Sequence, residues 1–378
     1  MSKKVYKRNI NVELIRIIAC CIVIGVHCKL PDFRDGVLSR GRLLVSCFLA
    51  DGVAVFWMIS GFFMFNKQLG KQAKKLVLGI VLPSFLVICM WQVFGNWFSG
   101  QSSFMECVKV HQFNVQEVFG NILFWQAGMT GGNHLWYVFS YVQNFLWVPL
   151  LNFVCKETAE ARKVRHYLIG LAFLGVIIND IQLFTELPVG RILTYSVVST
   201  SVMQMLIGYE IFIYRDWFRN KTYLTVAGLA VFLFGNLARC YFQYGLFMED
   251  SSNNLLLFWQ SGFGTLCAVA LIVAGLSTNL ERLNEHVRNL ICWIGGRTFG
   301  IYLIHTAVIT KLGSYGLGVF LENVFQCSIS GIFGIALYTF VWMVLVFMIS
   351  LAAVGILQMV MDSARLFWIC LWERKQDG

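Results

Sequence analysis

The chain of 378 residues is 58% hydrophobic, only 13% charged, and carries a formal net charge of +10. That balance is too apolar for a soluble fold and points to an integral membrane protein. The positive charge sits in short blocks between apolar runs, the distribution of cytoplasmic loops, which sets nucleic acid aside as a partner.

The first apolar run, Asn11 to Leu30, has about the length that spans a bilayer, yet it holds Arg16 near one end and His27 near the other. At about 100° per residue their spacing returns to within roughly 20° of whole turns, so both side chains project from one face about 16 Å apart along the axis. Glu13, on much the same face, is placed to partner Arg16. Ionisable groups inside a membrane are costly and usually face a wet or protein-lined path; the competing reading is an arginine that snorkels and a histidine at the interface. The run is long and the chain keeps returning to the membrane, so no removable signal peptide is expected.

Further apolar segments at roughly 43 to 65, 76 to 98, 134 to 155, 166 to 184, 192 to 214, 222 to 244, 255 to 277, 294 to 313 and 329 to 360 predict an all-α, polytopic helix bundle of about ten transmembrane helices. The stretch 117–129 is short enough to be re-entrant. Basic residues gather before the first span (Lys3, Lys4, Lys7, Arg8) and then in every second loop, from Lys67, Lys71, Lys74 and Lys75 to Arg365, Arg374 and Lys375 at the tail. The positive-inside rule therefore places both termini in the cytoplasm. Residues 1–378 read as one membrane domain, with 11–360 the embedded core, no internal repeat and no soluble module. Twelve cysteines lie mostly inside apolar runs without metal spacing, so neither a disulfide frame nor a metal site is expected.

Chemistry-bearing residues recur along the spans. In the second, Ser60 precedes Gly61, where a small residue permits close helix approach. Lys71, Lys74 and Lys75 follow on the cytoplasmic side, as a phosphate-binding cluster or a topogenic, lipid-binding one. His134-Leu135-Trp136-Tyr137 opens the fourth span, where aromatic anchoring accounts for Trp136 and Tyr137 and an interfacial histidine is ordinary. Asn236 and Arg239 in the seventh span either line a polar cavity or, for the arginine, snorkel. Tyr302 and His305 share a face of the ninth span, and His305 falls near mid-membrane, too deep for an interfacial role.

These elements together resemble the acyltransferase 3 family of integral membrane O-acyltransferases: Arg16 and His27 in the first span, Trp57, Ser60, Gly61 and Phe62 in the second, His134 to Tyr137, then Gly300, Tyr302 and His305. Lys71-x-x-Lys74 stands where the family often has Arg-x-x-Arg, so point charge replaces bidentate contact there. The resemblance implies transfer of an acyl group, most often acetyl from cytoplasmic acetyl-coenzyme A, to a hydroxyl of a cell-surface glycan or its precursor at the plasma or inner membrane. Acetyl-coenzyme A is then a donor substrate, and no resident cofactor is implied. On that reading Arg16 and the Lys71, Lys74 and Lys75 loop hold the donor. His27 deprotonates the acceptor hydroxyl or carries the acyl group transiently, and Ser60, Trp136, Tyr302 and His305 line the site, with Ser60, Tyr302 and His305 offering hydrogen bonds to the developing oxyanion. A secondary transporter or flippase shares the many spans and intramembrane charges; it predicts inverted repeats and broken helices. A module for substrate uptake or sensing is a third reading, for which a partner domain is expected.

Overall fold

Where no water reaches the backbone, each segment must satisfy its own N–H and C=O groups, and helices do so. The computed structural model describes residues 8–28, 33–34, 37–38, 40–110, 133–185, 198–250, 253–328 and 331–374. Helix α1 (Ile10–Cys28) carries Glu13 in its first turn and His27 in its last, the arrangement a helix dipole favours. Two-residue strands β1 (Phe33–Arg34) and β2 (Val37–Leu38) pair antiparallel between α1 and the next helix.

Helices α2 (Arg40–Phe48) and α3 (Gly52–Met64) form one span interrupted before Asp51. A surface helix, α4 (Leu69–Leu76), passes through a π-helical turn at Val77–Val81 into α5 (Leu82–Phe98). The ladder widens next to Pro83, which has no N–H to return to the preceding turn. Helix α6 (Phe104–Val110) follows. Beyond it, a 3₁₀ turn at Asn133–Leu135 leads into α7 (Trp136–Leu146) and α8 (Val148–Val154). Helices α9 (Ala159–Gln182) and α10 (Thr200–Ile213) start on the hydroxyls of Thr158 and Ser199, which accept from backbone N–H groups in the first turn. Short α11 (Arg215–Phe218) precedes α12 (Thr222–Glu249), and Ser261 and Asn284 cap α13 (Gly262–Ser277) and α14 (Glu285–Gly295) in the same way. The chain ends with α15 (Thr298–Ser314), α16 (Leu317–Ser328) and the long α17 (Ile332–Arg374).

Among the described residues seven helical stretches are long and apolar enough to cross a membrane, eight if α15 and α16, bent by 75°, make one span. The all-helical membrane bundle stands; the expected count of about ten does not emerge. The segment 134–155 is divided at Trp147, two residues before Pro149, which has no N–H to return to the preceding turn and so sits at the start of a new helix. Just beyond the ninth segment, 294 to 313, the chain bends at Gly316, whose φ of +72° favours glycine and ends a right-handed helix. Of 192–214 only α10 is described, a 14-residue apolar helix, and 117–129 lies outside the described residues.

Helix α1 is the axis of the bundle. One face packs Val12, Ile15 and Ala19 against Ala54, Val55 and Met58 of α3 and Ala268 and Ile272 of α13. Another sets Cys20 and Ile24 against Ile301 of α15 and Trp342 and Val346 of α17, while Val23 meets Trp91 of α5 and Leu303 of α15. The outer surface inverts the usual rule: Phe234 and Tyr241 of α12 and Phe333 and Phe340 of α17 are exposed, whereas Asp51, Gln204, Asn236, Arg239, Gln243 and His305 are wholly buried. An apolar exterior over a polar interior is a lipid-facing pattern.

Helices α3 and α10 cross through two glycines. A Cβ on Gly61 would lie 1.9 Å from the Met205 carbonyl oxygen, and one on Gly208 would lie 2.0 Å from that of Met58. Both obstacles are backbone, so neither can swing aside, and Gly61→Ala must force the helices apart. A loss of about 1–3 kcal/mol is expected, read as a lower midpoint of thermal unfolding in detergent; an unchanged midpoint would show that the crossing relaxes freely.

Candidate active site

The interior polar groups start at Arg16. Half-buried on α1, its guanidinium lies 3.4 Å from the Glu13 carboxylate and 5.7 Å from the centre of the Phe63 ring. Tyr137 and Tyr141 of α7 stand within its electrostatic range. Beside Phe63 and Tyr141 a small cavity of about 50 Å³ is also bordered by Gln72 and Lys75. Lys75 therefore reaches the neighbourhood of Arg16, while Lys71 and Lys74 lie exposed on the same surface helix.

From there the polar side chains climb through α3 and α7. Ser60 is 3.0 Å from the Tyr137 hydroxyl, and Trp57 packs on Tyr137 with ring centres 4.3 Å apart. Tyr137 in turn meets Tyr302 of α15 at 5.9 Å. Trp136 flanks this line, meeting Tyr137 edge-on at 6.2 Å and stacking on Trp259, 5.7 Å away and nearly parallel. Tyr302 donates its hydroxyl proton to the backbone carbonyl of His134.

Three imidazoles gather at the top. The His27 and His305 rings are 5.1 Å apart and those of His134 and His305 are 5.3 Å apart. His305 and His134 are buried, whereas His27, in the last turn of α1, is exposed. A carbonyl only accepts, so the 2.6 Å contact between His305 Nδ1 and the Tyr302 oxygen fixes the proton on Nδ1. His134 is held by the Leu303 carbonyl, 3.1 Å from Nε2, and by the Thr306 hydroxyl, 3.1 Å from Nδ1. Among the described residues no three His, Cys, Asp or Glu side chains converge as a metal-ligand set.

Of the residues singled out by sequence, His27, His305 and Tyr302 come together, Ser60 joins them through Tyr137, and Arg16 and Lys75 stand at the opposite end. Lys71, Lys74 and Trp136 are not in contact with the imidazoles. The hydrogens of Tyr302 and His305 Nδ1 are already engaged by carbonyl oxygens, which leaves neither free to meet an oxyanion in this arrangement. His134, read as an ordinary interfacial histidine, is instead inside the cluster. Tyr137, read as an anchor, is the link between Ser60 and Tyr302. The signal for both was the position of His134 ahead of two aromatics, whose burial against α3 and α15 no local pattern reveals. A second charged group lies beside the start of α1, a cavity of about 710 Å³ bordered by Arg8, Arg215, Arg219 and Arg288 but also by Asp216, Glu281 and Glu285.

Arg239 does not snorkel. Its guanidinium donates to Asp51 Oδ1 at 2.7 Å, to the Cys47 carbonyl at 3.0 Å and to Asn236 Oδ1 at 3.1 Å. It thus satisfies the end of α2 and the start of α3 together, which is why the span can break there.

Fold and site define a multi-pass membrane protein whose interior holds a polar, histidine-rich centre. Residues 9–359 match the family model described as an acyltransferase domain. The chain belongs to the acyltransferase 3 family and is a membrane acyltransferase by that membership. No curated protein and no solved structure matches the chain.

Proposed function

We propose that the chain is an O-acyltransferase that moves acetyl from cytoplasmic acetyl-coenzyme A to a hydroxyl of a cell-surface glycan or its precursor, with both termini on the cytoplasmic side of the plasma or inner membrane. The observation that carries this reading is an exposed imidazole, His27, backed by buried ones and set on the same helix as a half-buried guanidinium, Arg16, about three turns away. A histidine has an ordinary pKa near 6.5, so near neutral pH it is available to take a hydroxyl proton as the oxygen attacks the thioester carbonyl. The same proton then goes to the departing thiolate of coenzyme A.

The donor is anionic and comes from the cytoplasm. Lys71, Lys74 and Lys75 offer it a basic stretch of α4 without an acidic residue, and Lys75 borders a small cavity with Phe63, the ring that Arg16 also meets. The larger cavity at Arg215 and Arg288 intersperses carboxylates that would repel phosphate. Trp136 and Trp259, stacked beside Tyr137, form a flat aromatic face of the kind that packs against a sugar ring.

The direct test is release of coenzyme A thiol by the purified protein in liposomes, with and without a glycan acceptor. Acceptor-dependent release supports acyl transfer; movement of substrate without thioester consumption would instead make the protein a transporter. Replacing Lys71, Lys74 and Lys75 together by Ala is expected to raise the KM for acetyl-coenzyme A about tenfold, near 1.4 kcal/mol, with kcat little changed. Arg16→Ala is expected to raise it as well. A KM unmoved by both sets would place the donor elsewhere.

A further inference from the structure

Two wholly buried side chains, Trp57 of α3 and Gln204 of α10, each hold a polar atom without a hydrogen-bond partner, and both adjoin Trp259. The Trp57 indole N–H meets no acceptor, and its ring centre is 6.2 Å from that of Trp259. Gln204 donates from Nε2 to the Trp259 carbonyl at 2.9 Å and to the Thr265 hydroxyl at 3.1 Å. A carbonyl only accepts, so the amide is fixed with its nitrogen toward Trp259, and Oε1 is an acceptor without a donor. The glycine crossing of α3 and α10 brings the two side chains into one region, since Trp57 is next in the chain to Met58 and Gln204 to Met205. Leaving each unmatched costs free energy, and a buried indole N–H ordinarily finds a partner.

The two unmet needs are opposite in kind. An anion would suit the Trp57 N–H and not the Gln204 oxygen, a cation the reverse, and a hydrocarbon chain neither. A hydroxyl both donates and accepts. Trp136 and Trp259, stacked and only half-buried, lie beside both groups. We infer that Trp57 and Gln204 are specificity-determining residues of a carbohydrate subsite: with a sugar ring against the tryptophan pair, Trp57 Nε1–H donates to one ring hydroxyl and Gln204 Oε1 accepts from another. This rests on the acyl-transfer reading and gives its acceptor a class, a sugar ring with free hydroxyls. Trp259 stands in the turn between Leu257 and Gly262, outside any helix, and Gln204 holds it by its backbone. Its ring is therefore able to swing from Trp136 and admit the sugar without unwinding a span.

Indole nitrogen-15 spectra of tryptophan-labelled protein in lipid nanodiscs test it, with the Trp57 signal assigned by its absence from Trp57→Phe. The probes are the methyl glycosides of glucose, galactose, rhamnose and N-acetylglucosamine. At least one is expected to move the Trp57 Nε1–H signal downfield in a saturable way, as a new hydrogen bond does. For that glycoside, removing one ring hydroxyl is expected to weaken binding about tenfold in the wild type, while Trp57→Phe binds the intact and the deoxy sugar alike. Gln204→Met is expected to lose discrimination at a second hydroxyl in the same manner. A merely structural role would weaken both sugars equally. Discrimination that survives in both variants overturns the proposal, as does a Trp57 signal unmoved by every glycoside, the result a resident buried water would give. Binding needs no turnover, so a shifted signal without acceptor-dependent release of coenzyme A would count against acyl transfer alone, and release with an unmoved signal against this subsite alone.

Discussion

Replacing Arg239 by Met is expected to destabilise the protein by about 3–5 kcal/mol, the cost of stranding a buried charge. Arg239 and Asp51 are both fully buried, and their contact at 2.7 Å ties α12 to the junction of α2 and α3. Without the guanidinium, Asp51 keeps a carboxylate with no counter-charge, and the Cys47 carbonyl at the end of α2 loses its donor. Removing both charges, as in Asp51→Asn with Arg239→Met, relieves the stranded anion but not the bare carbonyl. The double variant should therefore lie between wild type and Arg239→Met. Unfolding of the four proteins in mixed micelles, followed by tryptophan fluorescence, gives the coupling directly. If the losses of the two single variants add up to that of the double variant, the pair is not coupled and the break between α2 and α3 has another cause. Since Gly52 packs against Ala19 and Val23 on α1, a displaced α3 would also move the wall opposite the stretch between Arg16 and His27.

The second large effect is on chemistry. His27→Ala is expected to lower acyl transfer by about 10²–10⁴, the usual contribution of a positioned acid or base, with the unfolding midpoint nearly unchanged. The ring is exposed at the end of α1, so truncating it opens no cavity in the packed interior. Initial rates of thioester consumption and glycan acetylation, on protein shown to unfold at the wild-type temperature, separate the two quantities. Activity that survives in the Ala variant would move the reaction away from this imidazole and leave the histidine cluster a packing device. Arg16→Ala differs in kind: its expected effect is on KM, because its neighbours are Glu13 and the aromatic wall near Lys75 and not the imidazoles.

Much of this was legible in the chain. The apolar runs announced the membrane because a span must exclude charge over about 30 Å, and the pairing of Glu13 with Arg16 follows from helical spacing alone. The same spacing put Tyr302 and His305 on one face. Span count was less legible, since Pro149 divides the apolar run 134–155 near Trp147 while its hydropathy stays high across the break. Hydropathy averages over a window, while a break is made by one residue's backbone preference.

The sequence by itself determined the lipid-soluble exterior, the helical class, the family motifs and which ionisable groups lie deep, because each depends on composition or on spacing within one segment. Only the tertiary structure decided which of those groups meet. Arg239 finds Asp51 across 188 positions, and His134 finds Thr306 across 172; a local pattern carries no record of such partners. It likewise decided that His305 turns its proton to Tyr302 and leaves Nε2 bare beside His27, since a tautomer is chosen by the neighbour that accepts and not by the residue that donates.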